Sequence, residues 1–185
     1  AVISYARHLQ NLDESSGVNA VDATITKAVQ SSDITFTDEM PVGSSNGYVD
    51  WFETYGEKYF NGSTDGVPNF KPIQNSKLQS YDGDLKRISK LTIEAKSDAG
   101  LFAARGDSQT VSNVIMTGTY VKSQNGSAGA LVGKVTGSAA IEQCQVYLTT
   151  TDIKAKNNHD VWIQGKTAGG LIGTVHGGTG DEQDN

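Results

Sequence analysis

The chain has little cysteine, proline and histidine, and it has no long apolar run among its 185 residues. The single cysteine, Cys144, excludes an internal disulfide. No apolar run approaches the roughly 20 residues of a membrane-spanning helix, so direct membrane insertion is not expected. Long stretches rich in Leu, Ala, Glu and Lys are also missing, which argues against a helical bundle.

Basic side chains are fewer than acidic ones, 15 against 21, which gives a net charge of −6. Nucleic-acid binding needs clustered Lys and Arg to neutralise phosphates, so no nucleic-acid partner is expected. The same charge disfavours an anionic membrane surface. The chain starts at Ala1-Val2-Ile3 without Met or a signal peptide, and we expect a processed or trimmed fragment. Its scarcity of cysteine is compatible with the surface of a Gram-positive bacterium.

Glycine is abundant, with 21 residues, and Thr, Ser, Asn and Val are plentiful. This balance favours an all-β chain with many tight turns. A Gly-Leu-x-Gly-type unit occurs three times, as Gly100-Leu101-Phe102-Ala103, Ala130-Leu131-Val132-Gly133 and Gly170-Leu171-Ile172-Gly173. Its leucines are 30 and then 40 residues apart. A β-rich run follows the first two units, at Val111–Met116 and Ile141–Val146, and an earlier copy is Ile88–Ile93.

Such a unit predicts short strands that bury their apolar faces only by stacking on neighbouring units, as in a β-solenoid over residues 88–176. Leu101, Leu131 and Leu171 would form one interior stack. Phe102, Val132 and Ile172 would point the other way and need a covering layer. The small residues would serve close backbone approach or positive φ. The longer second interval predicts an inserted loop at Ala155–Lys166.

The N-terminal half has a different pattern. Tyr5, His8, Leu9 and Leu12 follow helical spacing, which predicts a short amphipathic helix. Residues 23–29 and 33–37 alternate as strands. Residues 41–69 form a long insertion that carries most of the aromatic side chains.

Several further motifs occur in a fixed order: His8-Leu9-Gln10-Asn11-Leu12, Asp33-Ile34, Phe70-Lys71-Pro72-Ile73, Tyr81-Asp82-Gly83, Ile88-Ser89-Lys90-Leu91-Thr92-Ile93 and Gly100-Leu101-Phe102. This set resembles the bacterial GLUG-repeat proteins, which include repeats of IgA peptidases and of large surface proteins of gut bacteria. The resemblance covers nearly the whole chain outside 41–69, with Ala103 and Ala130 standing where the family has glycine. It implies an exported, surface-associated parallel β-helix and implies no peptidase activity.

Metal and nucleophile motifs are missing. His8, His159 and His176 are not at zinc-ligand spacing, so neither a metal nor another cofactor is expected. We expect His8 to contact the core, the other two histidines to lie in loops, and Cys144 to be buried in a strand. Tyr81-Asp82-Gly83-Asp84 is interpreted as a turn, with a calcium site as the alternative. Arg105-Gly106-Asp107 spells an integrin-type tripeptide, which we interpret as a chance occurrence at a turn.

Two kinds of site remain as alternatives to a plain scaffold. Exposed aromatics in the insertion, namely Tyr48, Trp51, Tyr55 and Tyr59, would bind a glycan or a protein, unless the segment only packs against the scaffold. A polysaccharide lyase or glycosidase would need acids and bases in one groove, and the candidates are Asp82, Asp84, Asp98, Asp107, Lys86 and Arg105. No spacing pairs these acids, so an enzyme is not the favoured interpretation.

The sequence therefore predicts one all-β domain over 1–185, a right-handed parallel β-helix with a short N-terminal capping helix. Its parts are a helical cap with the first strands (1–40), the aromatic-rich insertion (41–69), the solenoid coils (70–176) and a tail or linker (177–185). The expected role is a non-catalytic adhesion or stalk module of a larger bacterial cell-surface protein, extracellular, with a host or bacterial glycan or protein as partner.

Overall fold

The computed structural model describes residues 1–13, 25–36, 70–147 and 163–177. In these ranges the chain contains one short helix and otherwise only strands, so the prediction of an all-β chain is confirmed. The aromatic segment 41–69, most of the predicted loop Ala155–Lys166 and all of the tail after Gly177 lie outside the described residues.

The elements follow one another as β1 (Val2–Ile3), α1 (Ala6–Gln10), β2 (Lys27–Gln30), β3 (Ile34–Thr35), β4 (Ser80–Asp82), β5 (Arg87–Ser89), β6 (Thr92–Ala95), β7 (Phe102–Arg105), β8 (Thr110–Ser112), β9 (Ile115–Thr117), β10 (Tyr120–Ser123), β11 (Ser127–Gly129), β12 (Val132–Thr136), β13 (Ala140–Glu142), β14 (Gln145–Tyr147), β15 (Ile163–Gln164), β16 (Thr167–Gly169) and β17 (Ile172–His176). Most strands have only two to four residues, so each depends on its neighbours for burial.

The strands form five small sheets, in which all pairs are parallel. Their strand orders are β1-β2-β4-β8-β13 (sheet 1), β3-β5-β9-β14 (sheet 2), β6-β10-β15 (sheet 3), β11-β16 (sheet 4) and β7-β12-β17 (sheet 5). From β8 onwards the chain visits the five sheets in this order twice. Before that, β4 to β7 visit sheets 1, 2, 3 and 5 in the same order. We call one such passage a layer. Strands β8 to β12 form one layer, and β13 to β17 form the next.

From β4 to β14, paired residues of successive layers have a nearly constant spacing, whereas Ala28 of β2 and Tyr81 of β4 are 53 positions apart. The spacing is 30 residues for Val111 with Ile141 and for Phe102 with Val132, and 28 for Ile93 with Val121. In the last layer it is 42 for Val121 with Ile163 and 40 for Ala128 with Ala168. The extra residues therefore lie between Tyr147 and Ile163. The predicted loop Ala155–Lys166 was wrong at its C-terminal end, because Ile163–Gln164 is a strand paired with β10.

The core is a single cluster that extends through the layers. Sheet 1 contributes Ala28, Tyr81, Val111 and Ile141 at paired positions, and sheet 2 contributes Ile34, Ile88, Met116 and Val146. In the three-residue strands β4, β5, β8 and β9, alternation places the middle, apolar residue inside and its neighbours further out. The longer strands β7 and β12 each bury more than one side chain. Successive layers thus share one core.

The β-rich runs, each predicted as one continuous strand, are bent in the structure. The sequence pattern did not indicate these bends. Lys90, Asn113 and Gln143 have φ between 51° and 60°, and each stands at a corner between two sheets. Ile88–Ile93 is therefore split between β5 and β6, and Val111–Met116 between β8 and β9. Left-handed corners let one short apolar run supply two walls of the core.

The helix α1 is shorter than its periodicity predicted. Ala6, Leu9 and Leu12 are buried, but Tyr5 and His8 are exposed and contact each other edge-on, with ring centroids 5.2 Å apart. The expectation that His8 contacts the core was wrong, because five helical residues bury only a narrow stripe. No helix in the described ranges is long and apolar enough to cross a membrane.

Candidate functional site

The predicted ligand-binding aromatics Tyr48, Trp51, Tyr55 and Tyr59 all lie outside the described residues. The glycan-binding surface of the 41–69 segment therefore stays a prediction. The described ranges contain the other candidates, namely the repeat residues, the turn acids and the Arg105-Gly106-Asp107 tripeptide.

The repeat residues lie at the start of the strands of sheet 5 and in the residues just before them. Leu101 and Leu131 are fully buried, while Leu171 in the last layer is half-buried. The other apolar row, Phe102, Val132 and Ile172, packs in the same cluster, so the predicted separate covering layer was wrong. Phe102 contacts Tyr81 of sheet 1 edge-on, at 5.4 Å between ring centroids.

Close backbone approach explains most of the repeat glycines. A Cβ on Gly100 would lie 2.7 Å from the Gly129 carbonyl oxygen, and one on Gly133 would lie 2.7 Å from the Ala103 carbonyl oxygen. A Cβ on Gly173 would lie 2.4 Å from the Gly133 carbonyl oxygen, whereas Gly170 has open space around it. The layers therefore touch through backbone at this corner, and the alternative of positive φ does not apply to these glycines.

A cleft of about 570 Å³ opens beside the end of β7. Its lining includes Gln74, Asn75, Asp98, Arg105, Asp107 and Gln109. Two of these residues belong to the tripeptide Arg105-Gly106-Asp107. Arg105 is 2% exposed, so the tripeptide does not present both of its charged side chains to a partner. This burial supports the interpretation of the tripeptide as a chance occurrence.

Arg105 has an unusual environment for a cation. Its guanidinium carbon lies 3.9 Å from the centroid of the Phe102 ring, and its Nη1 donates to the Asn75 carbonyl at 3.0 Å. Its Nη2 is buried without a hydrogen-bond partner. No ion pair involves Arg105 among the described residues. Burial lowers the pKa of Arg105 to about 10, which still leaves the side chain charged at neutral pH.

Gln109 fixes the wall of this cleft. Its Nε2 donates to the carbonyls of Asn75, Ser76 and Leu78, each at 3.2 Å. Its Oε1 accepts from the Gly106 amide at 2.8 Å. The wall is tied to the N-terminal segment as well, because Asn75 Nδ2 donates to the Leu12 carbonyl at 2.7 Å. Sequence reasoning missed Gln109 and Asn75, since an isolated polar residue in a turn carries no periodic signal.

Three aspartates that were enzyme candidates serve the turns between layers. Asp82 Oδ1 accepts from the Asp84 amide and from Asn113 Nδ2, both at 2.9 Å. Asp98 Oδ1 accepts from the Ser127 amide at 2.8 Å. Asp107 Oδ1 accepts from the Ser138 amide at 2.7 Å and from its hydroxyl at 3.0 Å. The turn interpretation of Tyr81-Asp82-Gly83-Asp84 is confirmed for its second half, where the Lys86 amide donates to the Gly83 carbonyl at 2.8 Å, whereas Tyr81 and Asp82 end strand β4.

These bonds follow a spacing that the sequence contains. The partners Asn113, Ser127 and Ser138 stand 31, 29 and 31 residues after their aspartates, close to the spacing of the layers. An Asp followed about 30 residues later by Asn or Ser is a sequence signal that would have predicted these hydrogen bonds. The four candidate acids belong to three different turns, and of these four only Asp98 and Asp107 line the cleft.

The remaining predicted residues are Cys144 and the histidines His159 and His176. Cys144 is half-buried and stands between β13 and β14, so its expected position inside a strand was wrong. Burial raises the pKa of its thiol, which disfavours a nucleophilic role. His176 is exposed at the end of β17 and does not lie in a loop. His159 lies outside the described residues. The described ranges contain no cluster of three or more His, Cys, Asp or Glu side chains able to hold a metal ion.

A comparison of the chain with family models, with curated proteins and with solved structures finds no match.

Proposed function

We propose that the chain is a right-handed parallel β-helix of the GLUG-repeat type, with α1 as its N-terminal cap. Two observations support this assignment. The last two layers, β8 to β12 and β13 to β17, visit the five parallel sheets in the same order. Paired residues in the regular layers are 28 to 30 apart in the chain. Right-handed connection is the usual outcome for parallel strands joined by crossovers.

The proposed function is that of a non-catalytic module in a larger bacterial cell-surface protein, extracellular and attached to the cell, acting in adhesion or as a stalk. The observation that carries this proposal is the use of the polar turn residues. Asp82, Asp98 and Asp107 each bond across to the next layer. Side chains that an enzyme would need in its groove thus stabilise the stacking. A stacked scaffold of this type transmits load along its axis and can be extended by further repeats.

Adhesion and stalk roles differ in a competition assay. Bacteria that carry the full-length protein are added to epithelial cells in the presence of the free domain. If the module is adhesive, rising concentrations of the free domain are expected to reduce the attachment of the bacteria. If it is a stalk, the free domain leaves attachment unchanged. Antibodies against the domain, applied to intact cells, test the location. Labelling that requires permeabilised cells would contradict the cell-surface proposal in either form.

A further inference from the structure

Within the described part of the chain, the cleft beside β7 contains one cation without an ion pair, Arg105, and two carboxylates, Asp98 and Asp107. Arg105 is 2% exposed and forms no ion pair among the described residues. Its Nη2 has two N–H donors and no acceptor. Leaving a charged donor buried without a partner is costly, because the group has given up its hydration. A ligand oxygen that reached Nη2 would recover this interaction.

We propose that this cleft binds a hydroxylated monocarboxylate, such as a hexuronic acid unit of a glycan, with its carboxylate at Arg105 and its hydroxyl groups at Asp98 and Asp107. The proposal does not use the residues of the segment 41–69 and does not depend on the adhesion or stalk role.

The acids of the cleft decide the ligand class. All hydrogen bonds that the described residues give to Asp98 and Asp107 go to Oδ1, which leaves Oδ2 of each to accept from ligand hydroxyls. Two carboxylates beside one guanidinium repel a dianion such as phosphate or sulfate, but they suit a ligand with one negative charge and several donors. A volume of about 570 Å³ lies within the usual range for small-ligand sites.

The position of Nη2 also has a kinetic consequence. This atom is shielded from solvent, so part of the cleft wall has to move before a carboxylate reaches it. Association is therefore expected to be slower than for a preformed open site.

Calorimetric titration of the protein with D-galacturonate tests the proposal, with D-galactose, acetate and inorganic phosphate as comparison ligands. Galacturonate is expected to bind at least about tenfold more tightly than each of them, because each lacks either the carboxylate, the hydroxyl groups or the single charge. Equal binding of acetate or phosphate would reduce the site to general anion binding and overturn the proposal. Equal binding of galactose would overturn the role of Arg105.

Arg105→Gln is expected to weaken galacturonate binding by about tenfold to a hundredfold, the effect of losing one charge-assisted hydrogen bond. Arg87→Gln is the matched control, because Arg87 is exposed and lies outside the cleft lining. Unchanged affinity in folded Arg105→Gln would assign Arg105 a structural role only.

A measurement on the unmodified protein covers the case in which Arg105→Gln does not fold. The guanidinium NMR signals of Arg105 are expected to shift with galacturonate and to stay in place with galactose. If they stay in place with both, Nη2 is satisfied by a buried water alone and the proposal fails.

Discussion

Tyr81 and Gln30 form a hydrogen-bonded polar pair in the interior of the protein. The Tyr81 hydroxyl donates to Gln30 Oε1 at 2.9 Å, while Gln30 Nε2 donates to the carbonyls of Ser32 and Arg87. Both side chains are at most 1% exposed. The pair joins sheet 1 to the turns around sheet 2, and its removal leaves a buried acceptor without a donor.

Tyr81→Phe is expected to lower the free energy of unfolding by about 1–3 kcal/mol, the cost of leaving a buried acceptor unpaired. The ring contact with Phe102 is kept in this variant, so the decrease in unfolding free energy is due to the missing hydroxyl group. Urea denaturation followed by circular dichroism measures it. Tyr147→Phe serves as control because Tyr147 is 50% exposed, and a similar loss in both variants would contradict the explanation.

Burial of the Tyr81 hydroxyl is also expected to lower the stability of the protein at alkaline pH. Burial raises the pKa of Tyr81 far above its ordinary value of 10.0. In the unfolded chain the hydroxyl loses its proton near that value, so the unfolded state gains stability as the pH rises above 10. The contribution is fully present below pH 10 and is lost above it. Denaturation midpoints between pH 9 and 11.5 are expected to fall more steeply in the unmodified protein than in Tyr81→Phe.

Asp107 is expected to make the stability of the protein depend on pH in the acid range. Hydrogen bonds from the amide and hydroxyl of Ser138 hold the pKa of Asp107 below its ordinary value of 3.8. The stabilisation is present above pH 3.8 and is lost as the pH falls through the lower folded value. Asp107→Asn keeps an acceptor oxygen but does not titrate, so its stability should fall less between pH 5 and 2.5. Asp84→Asn is the control, and equal acid slopes in Asp107→Asn and the unmodified protein would contradict this role.

At the scale of the element, the corners are as important as the strands. The strands supply the inward side chains, and the corners bring successive layers into backbone contact. Gly133 faces the Ala99 amide nitrogen and the Ala103 carbonyl oxygen, both at 2.7 Å from the position of an added Cβ. Backbone atoms cannot rotate away as a flexible side chain can, so an added methyl group must separate the layers.

Gly133→Ala is expected to cost about 1–3 kcal/mol of unfolding free energy, the range for overpacking a tight site. Gly170→Ala is the control, at the first position of the next repeat unit, because an added Cβ there meets nothing within 4 Å. Thermal and urea denaturation of both variants would measure the difference. A change at Gly170 as large as that at Gly133 would show that helical or strand propensity, not layer contact, sets the effect.

At the scale of the whole molecule, burial decreases towards the last layer. Val111 and Leu131 are completely buried, whereas their partners Ile141 and Leu171 are half-buried. Val175 in β17 is 61% exposed. Among the described strands, those of the last layer pair on one side only. Stability should therefore decrease from the middle of the stack to this end.

Leu131→Ala and Leu171→Ala compare these two positions in the repeat. The first is expected to cost about 2–5 kcal/mol, the usual range for a buried leucine. The second should cost less than half as much, because half-exposed side chains gain less from burial. Amide hydrogen exchange is expected to be faster in β13–β17 than in β8–β12. Equal costs and equal exchange rates would contradict a gradient along the stack.

The sequence by itself determined the all-β character, the layer spacing near 30 and the positions of the buried leucines. These follow from composition and from apolar residues that recur at fixed intervals, which are local or periodic properties. Only the tertiary structure decided where the runs bend, since Asn113 and Gln143 adopt left-handed corners that their residue types permit but do not require. It also decided that Arg105 is buried over Phe102 and that the turn aspartates bond to the next layer. These contacts depend on which residues the stacking brings together across about 30 positions of chain. The spacing of the turn aspartates and their partners is present in the sequence, but it acquires its meaning only once the spacing of the layers is known.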